Sequence, residues 1–172
     1  RAFDLEKYTR NHARKVDQAL SQYLPSVRNK PTTIHKAMRY SLFAGGKRIR
    51  PILTIAAAEA CGGSSLMALP LACAVECIHT YSLVHDDLPS MDNDDYRRGQ
   101  PTSHRVFGEG IAILTGDALL TQAFEIAAQA RGSARYSSAD IIREITSTAG
   151  SLNLIAGQVA DIEASTKNLT LP

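Results

Sequence analysis

The 172-residue sequence predicts an all-α fold: a bundle of long, mostly antiparallel helices around a central buried helix. Three observations predict it. Apolar residues recur every three to four positions over most of the chain. No stretch alternates apolar and polar residues as a half-buried strand would. One run, Leu66 to Val84, is apolar on every side, and such a helix belongs at a centre.

The elements follow in order. Ile34, Met38 and Leu42 fall at i, i+4 and i+8, and Gly45-Gly46 stops that helix. Pro51 suits the first turn of a second helix, which Gly62-Gly63 ends. A third runs from about Leu66 to Leu88, because Pro89 cannot continue it. It contains Pro70, Glu76 and His79 and ends in two aspartates, which favours a core helix over a membrane span. Gly99, Pro101, Gly108 and Gly110 make residues 89–110 a loop with a short helical piece. Ile111 to Ala130 is helical, with Gly132 as the stop. Ile141, Ile145, Thr148, Leu152, Ile155, Val159 and Ile162 then mark one long amphipathic helix, capped by Ser138 and weakened by Gly150 and Gly157. Together these make a single helical domain over residues 1–172.

Apolar residues at 44% and charged residues at 21% are ordinary for a globular protein, and a net charge of +2 gives no chain-wide field for nucleic acid. Three cysteines are an odd set, so a disulfide framework is not expected; Cys73 and Cys77 read as buried thiols. No signal peptide is visible, and a cytoplasmic location is expected. The chain begins at Arg1 without a methionine, which leaves room for an upstream targeting segment.

Five of the 17 acidic residues lie between Asp86 and Asp95. A solvated charge run is a poor account, because the cluster starts where the most apolar helix ends and Arg97-Arg98 follow directly. Buried carboxylates without a counter-charge cost several kcal/mol each. A divalent cation is the natural partner, and carboxylates alone point to Mg²⁺ or Ca²⁺. A calcium-binding loop starting at Asp92 fails, since Tyr96 and Arg97 occupy its fifth and sixth positions. Mg²⁺ takes one or two carboxylates and completes its shell with water and phosphate. Arginines beside it would hold phosphate oxygens. Asp86 and Asp92 are six apart, so on a regular helix they would point about 240° around from each other. They converge only if the chain breaks near Pro89. Asp87, Asp94 and Asp95 are further candidates. Lys47 and Arg50 follow a Gly-Gly stop, where exposed backbone and cations can meet an anion.

The segment His85–Gly99 resembles the first aspartate-rich motif of the trans-prenyl diphosphate synthases, in the form DDxxxxD followed by RRG. Gly45–Pro51 resembles their GGKRxRP motif, and Glu76–His85 the run leading into the aspartates. Gly116–Leu120 and Gly157–Asp161 resemble two later signatures. The resemblance covers nearly the whole chain, in order. It implies an isoprenoid-synthase type of helical bundle, truncated to its N-terminal portion. The implied reaction joins an allylic diphosphate (dimethylallyl or geranyl) to isopentenyl diphosphate by metal-triggered ionisation, attack and proton loss. By the resemblance, Asp86 and Asp92 hold Mg²⁺ on the allylic diphosphate and Arg97 contacts that diphosphate. Lys47, Arg50, His79 and Arg98 bind isopentenyl diphosphate. Gln158 and Asp161, i,i+3 on one helix face, are either a support for the metal site or a helix-surface pair, and the resemblance implies a homodimer. Tyr81 and Ser82, one turn before Asp86, are the chain-length candidates; a tyrosine floor there resembles bacterial-type farnesyl synthases, with geranylgeranyl diphosphate as the next product. Asp117, inside an apolar helix, reads as a buried hydrogen-bonded group.

The family's second aspartate-rich motif and its Lys-Thr motif are not in this sequence, and Thr166-Lys167 is not the latter. The chain as given is therefore expected to turn over little. The alternatives are a non-catalytic partner subunit of a synthase, or an HD-type phosphohydrolase using His85-Asp86 with His35 and Asp117.

Overall fold

The computed structural model describes residues 3–166 and divides the chain into two compact units, residues 1–130 and 131–172. The first unit begins with α1 (Leu5–Tyr23), which precedes the first helix expected from periodicity. Asp4 caps it by accepting the Lys7 amide. Its carbonyls at Ser21 and Leu24 are taken by Arg39, a cation at a helix C-terminus. Arg39 belongs to α2 (Thr32–Leu42), which ends before Gly45 and Gly46 as the sequence predicts. α3 (Ile49–Ala60) carries Pro51 in its first turn and stops before Gly62 at φ +82°.

α4 (Ser65–Asp86) is the central helix, packed by α1, α2, α3 and α6. Ser64 caps it through the Met67 amide. Pro70 leaves the Leu66 carbonyl without its helical donor, but Leu66 is exposed and water can serve it. By length and composition α4 and α6 are apolar enough to cross a membrane. In this fold the apolar surface of α4 is core: Ala72, Cys73, Ala74 and Cys77 are fully buried. Burial pushes the Cys73 thiol up to about 12 and the Cys77 thiol higher still, while Cys61 at the end of α3 is exposed.

Residues 89–110 are not wholly loop. They contain a two-residue antiparallel pair, β1 (Tyr96–Arg97) with β2 (Gln100–Pro101), and then α5 (Ser103–Phe107). Two residues per strand are too few for alternation to show in sequence. α6 (Glu109–Ala127) buries Leu119, Ala123 and Ile126 against the core.

In the second unit the expected long helix is two. α7 (Ser138–Ala149) ends at Gly150, which is extended at ψ −173°, and α8 (Leu154–Thr166) follows. The α7 cap is Ser137 rather than Ser138: its hydroxyl accepts the Asp140 amide, and Asp140 accepts the Ser137 amide in return.

Candidate diphosphate and metal site

The acidic segment is shaped by its backbone. α4 ends at Asp86, and the Asp92 amide returns to the Asp86 carbonyl at 2.8 Å. The Met91 and Asn93 amides both donate to Leu88 O, at 2.9 and 3.1 Å. Asn93 takes φ +56°, a conformation asparagine tolerates better than most residues. The excursion through Pro89 thus closes on itself, and Asp86 and Asp92 become neighbours through the main chain. This is the break that their spacing demands. Asp92 is exposed and Asp86 half-buried.

The following turn aims two arginines in different directions. Arg98 at φ +53° and Gly99 at φ +78° form a two-residue hairpin loop, the turn that suits the twist of paired strands. Arg97 places Nε 2.7 Å from Asp87 Oδ1 and a terminal nitrogen 2.6 Å from the same oxygen, and reaches Asp94 at 3.4 Å. Asp87 is buried, so Arg97 supplies its counter-charge. The bond to Asp87 raises the arginine's pKa above its ordinary value, against the effect of burial.

Arg98 turns the other way. It donates to the Gly45 carbonyl, and its guanidinium lies where a Cβ on Gly46 would stand. Gly46 also sits at φ +131°, so both its space and its backbone require glycine. Two segments 53 residues apart are thereby joined.

Behind this junction lies an open cavity of about 490 Å³ whose lining includes Lys47, Arg50, His79, Arg98, Arg48 and Glu76. All four residues expected to bind isopentenyl diphosphate face it. Arg50 and His79 approach within 3.4 Å. Burial, and then the Arg50 charge, hold the His79 imidazole below its ordinary value. Burial, with Arg48, Arg97 and Arg50 nearby, does the same to Arg98 against the opposing pull of Glu76. An anion bound in this cavity would offset the positive charge gathered there by Lys47, Arg50 and Arg98. A smaller cavity lined by Asp87, Arg97, Thr80 and Leu83 lies against the other side of Arg98, which lines both.

Arg48 is the residue that sequence reasoning missed. It is buried and sits at φ +51°. Its Nε donates to Asp17 at 2.8 Å, one terminal nitrogen to Glu76 at 2.8 Å, and the other to the Leu42 carbonyl at 2.9 Å. The signal was present: Glu76 lies inside the most apolar run, and a carboxylate there needs a cation from elsewhere in the chain.

The remaining residues are placed as follows. Tyr81 is buried, edge-on to the His85 ring at 5.9 Å, and burial followed by the Asp86 charge raises its hydroxyl pKa. The Ser82 hydroxyl turns back to donate to His79 O at 2.9 Å. His85 meets the Ile113 carbonyl at 3.0 Å and lies on Gly116, where any Cβ would overlap its ring. Asp117 is exposed rather than buried, with its carboxylate 3.9 Å from His85 of α4. Gln158 and Asp161 lie on α8, in the second unit. Lys167 and residues 168–172 lie outside the described residues. His35, needed by the hydrolase alternative, meets the Asn29 carbonyl instead.

Among the described residues no group of three or more His, Cys, Asp or Glu side chains is placed to hold a metal ion. Asp86 and Asp92 offer hard oxygen donors, two in number, beside cations that would bind phosphate. That donor set fits Mg²⁺ sharing its shell with a diphosphate.

A sequence profile of the family described as polyprenyl synthetase matches residues 31–171. The chain is 52% identical, over 95% of its length, to the large subunit 1 of a chloroplastic heterodimeric geranylgeranyl pyrophosphate synthase of Arabidopsis thaliana, covering 44% of that protein. It is 48% identical, over 97% of its length, to a farnesyl diphosphate synthase of Geobacillus stearothermophilus, covering 57% of it. The crystal structure of an FPP/GFPP synthase from Zymomonas mobilis superposes with a TM-score of 0.87 at 35% identity, over 97% of this chain and 60% of that one. The chain spans about half the length of the curated relatives it matches. The family match spans the Gly-Gly-Lys-Arg loop, the aspartate turn and the paired arginines, and the chain belongs to the polyprenyl synthetase family.

Proposed function

We propose that this chain carries the diphosphate-binding portion of a prenyltransferase that joins an allylic diphosphate to isopentenyl diphosphate. The family uses a divalent metal and binds these two substrate classes. The observation that carries the reading is the convergence of Lys47, Arg50, His79 and Arg98 on one cavity beside the Asp86–Asp92 turn. Isopentenyl diphosphate would sit on the cations Lys47, Arg50 and Arg98, with His79 beside them. The allylic diphosphate would sit across Arg98, towards Arg97, Asp86 and Asp92.

Asp86 and Asp92 would hold Mg²⁺, which supplies positive charge to the departing diphosphate. In the reaction the allylic C–O bond breaks and the diphosphate leaves with the electron pair. The isopentenyl double bond attacks the allylic carbon, a C–C bond forms, and a proton is lost to restore a double bond. The chain's own contribution is fixed cations where negative charge grows, which needs no nucleophilic side chain. His79, held neutral, can donate a hydrogen bond to phosphate.

Tyr81 is proposed as the floor beneath the growing tail, with Ser82 beside it, and farnesyl diphosphate as the product; geranylgeranyl diphosphate is the alternative. The protein is proposed to be a homodimer acting in the cytoplasm. The partner-subunit reading is the weaker one, because both metal-facing aspartates are kept.

The test is an elongation assay on the gene's full translation product, with geranyl diphosphate, labelled isopentenyl diphosphate and Mg²⁺. Farnesyl diphosphate is expected, with Asp86→Asn and Asp92→Asn each slowing turnover by at least about a hundredfold. Full activity in either variant would remove the metal assignment. Tyr81→Ala should lengthen the product, and an unchanged product would remove the floor.

A further inference from the structure

We infer that Arg48 is a positioning residue for the anion cavity: it binds no phosphate itself and sets the places of Lys47 and Arg50. This rests on the reading of that cavity as a diphosphate site. Arg48 lines the cavity beside Lys47, Arg50, His79 and Arg98, a place that would suit a further phosphate ligand. Its bonds say otherwise. Its Nε and one terminal nitrogen donate to carboxylates, Asp17 on α1 and Glu76 on α4, each at 2.8 Å, and its other terminal nitrogen donates to the Leu42 carbonyl at the end of α2. Its side chain is 3% exposed and Glu76 likewise. Burial works against its charge, and the two carboxylates outweigh that, so its pKa lies above the ordinary arginine value.

The consequence for the loop is geometric. Gly45 and Gly46 sit at positive φ, and Arg48, at φ +51°, takes a left-handed conformation that a non-glycine residue rarely adopts. A non-glycine residue persists in that conformation only when its surroundings fix it. Arg48 is fixed by three helices at once. Lys47 and Arg50 flank it, so their backbone positions follow from its anchoring. Arg48 also cancels Glu76, a carboxylate lining the cavity that would otherwise repel an anion.

The experiment uses the 172-residue chain, inorganic pyrophosphate in low-salt calorimetry, and amide hydrogen exchange. Arg48→Lys keeps the charge but cannot make the fork, and Glu76→Gln tests the same link from the other side. Arg48→Lys is expected to speed exchange of the Gly46–Arg50 amides and to weaken pyrophosphate about tenfold. In that background Lys47→Ala should add little, because the lysine is already displaced. A purely structural role would leave the two effects additive. Unchanged exchange in folded Arg48→Lys and Glu76→Gln chains, or additive losses with Lys47→Ala, overturns the inference. Absence of pyrophosphate binding in the unsubstituted chain overturns the anion-site reading instead, and the exchange result then decides by itself whether Arg48 holds the loop.

Discussion

Arg48 and Arg97 each meet a buried carboxylate, Glu76 within α4 and Asp87 at its C-cap, which are eleven residues apart and so only about 20° apart around the helix axis. In sequence the two arginines look alike, each the neighbour of a second cation that lines the cavity. In the fold they differ. Each guanidinium nitrogen of Arg48 donates to the protein, and the residue is closed to solvent. Arg97 is 31% exposed, and its second carboxylate, Asp94, is itself half in water. Such a residue can turn to an incoming phosphate without opening the core. One pair is scaffolding, and the other is a counter-charge that a ligand can redirect.

Stability measurements can break this comparison. Arg48→Ala leaves Glu76 buried without a partner and should cost about 3–5 kcal/mol in urea unfolding. Arg97→Ala should cost about 2 kcal/mol, since water can reach Asp87 once the side chain is gone. Equal losses would mean that Arg97 is as much a part of the core as Arg48. Gly46→Ala should cost about 1 kcal/mol from its positive φ and push Arg98 aside. Its sharper readout is a weakened pyrophosphate affinity, and an unchanged affinity would remove Arg98 from the anion site.

The smallest effect comes from His79. Its imidazole in the fold lies below the ordinary 6.5, first from burial and then from Arg50. Below about pH 6.5 the unfolded chain takes a proton that folded His79 still refuses. Stability therefore falls as pH drops from 6.5 towards the folded value, and His79→Asn should flatten that slope. Pyrophosphate should reverse the shift, so its binding near pH 6 is expected to draw in a proton, seen as a buffer-dependent heat. Binding without proton uptake would place the anion away from His79.

The sequence was most informative where one residue type had a single physical use. Pro89 and the six-residue spacing demanded a turn between Asp86 and Asp92, and the turn is there. Gly45-Gly46 and Gly62-Gly63 ended helices where expected. The apolar run made α4 central, and the motifs pointed to the family that the profile match shows. Less was legible where the decision was tertiary. Gly150 could have been tolerated within a helix, and in this chain it ends one. Asp117 sits in an apolar sequence, yet its side chain is exposed beside His85. Arg48 was hidden because its partners, Asp17 and Glu76, come from distant parts of the chain and no local pattern pairs them. Product length stays the least legible feature, since relatives named for farnesyl and for geranylgeranyl products match almost equally well.

The burial of the α4 thiols gives the protein an internal reporter. Cys61 is exposed, whereas Cys73 and Cys77 are sealed within the helix that every neighbour packs against. A maleimide should therefore add one label quickly. The second and third should follow only at the rate at which the core opens, because the thiolate that reacts is suppressed until then. The mass of the labelled chain over time is then a clock for departures of α4 from its neighbours. Ligands that close the anion cavity should slow it.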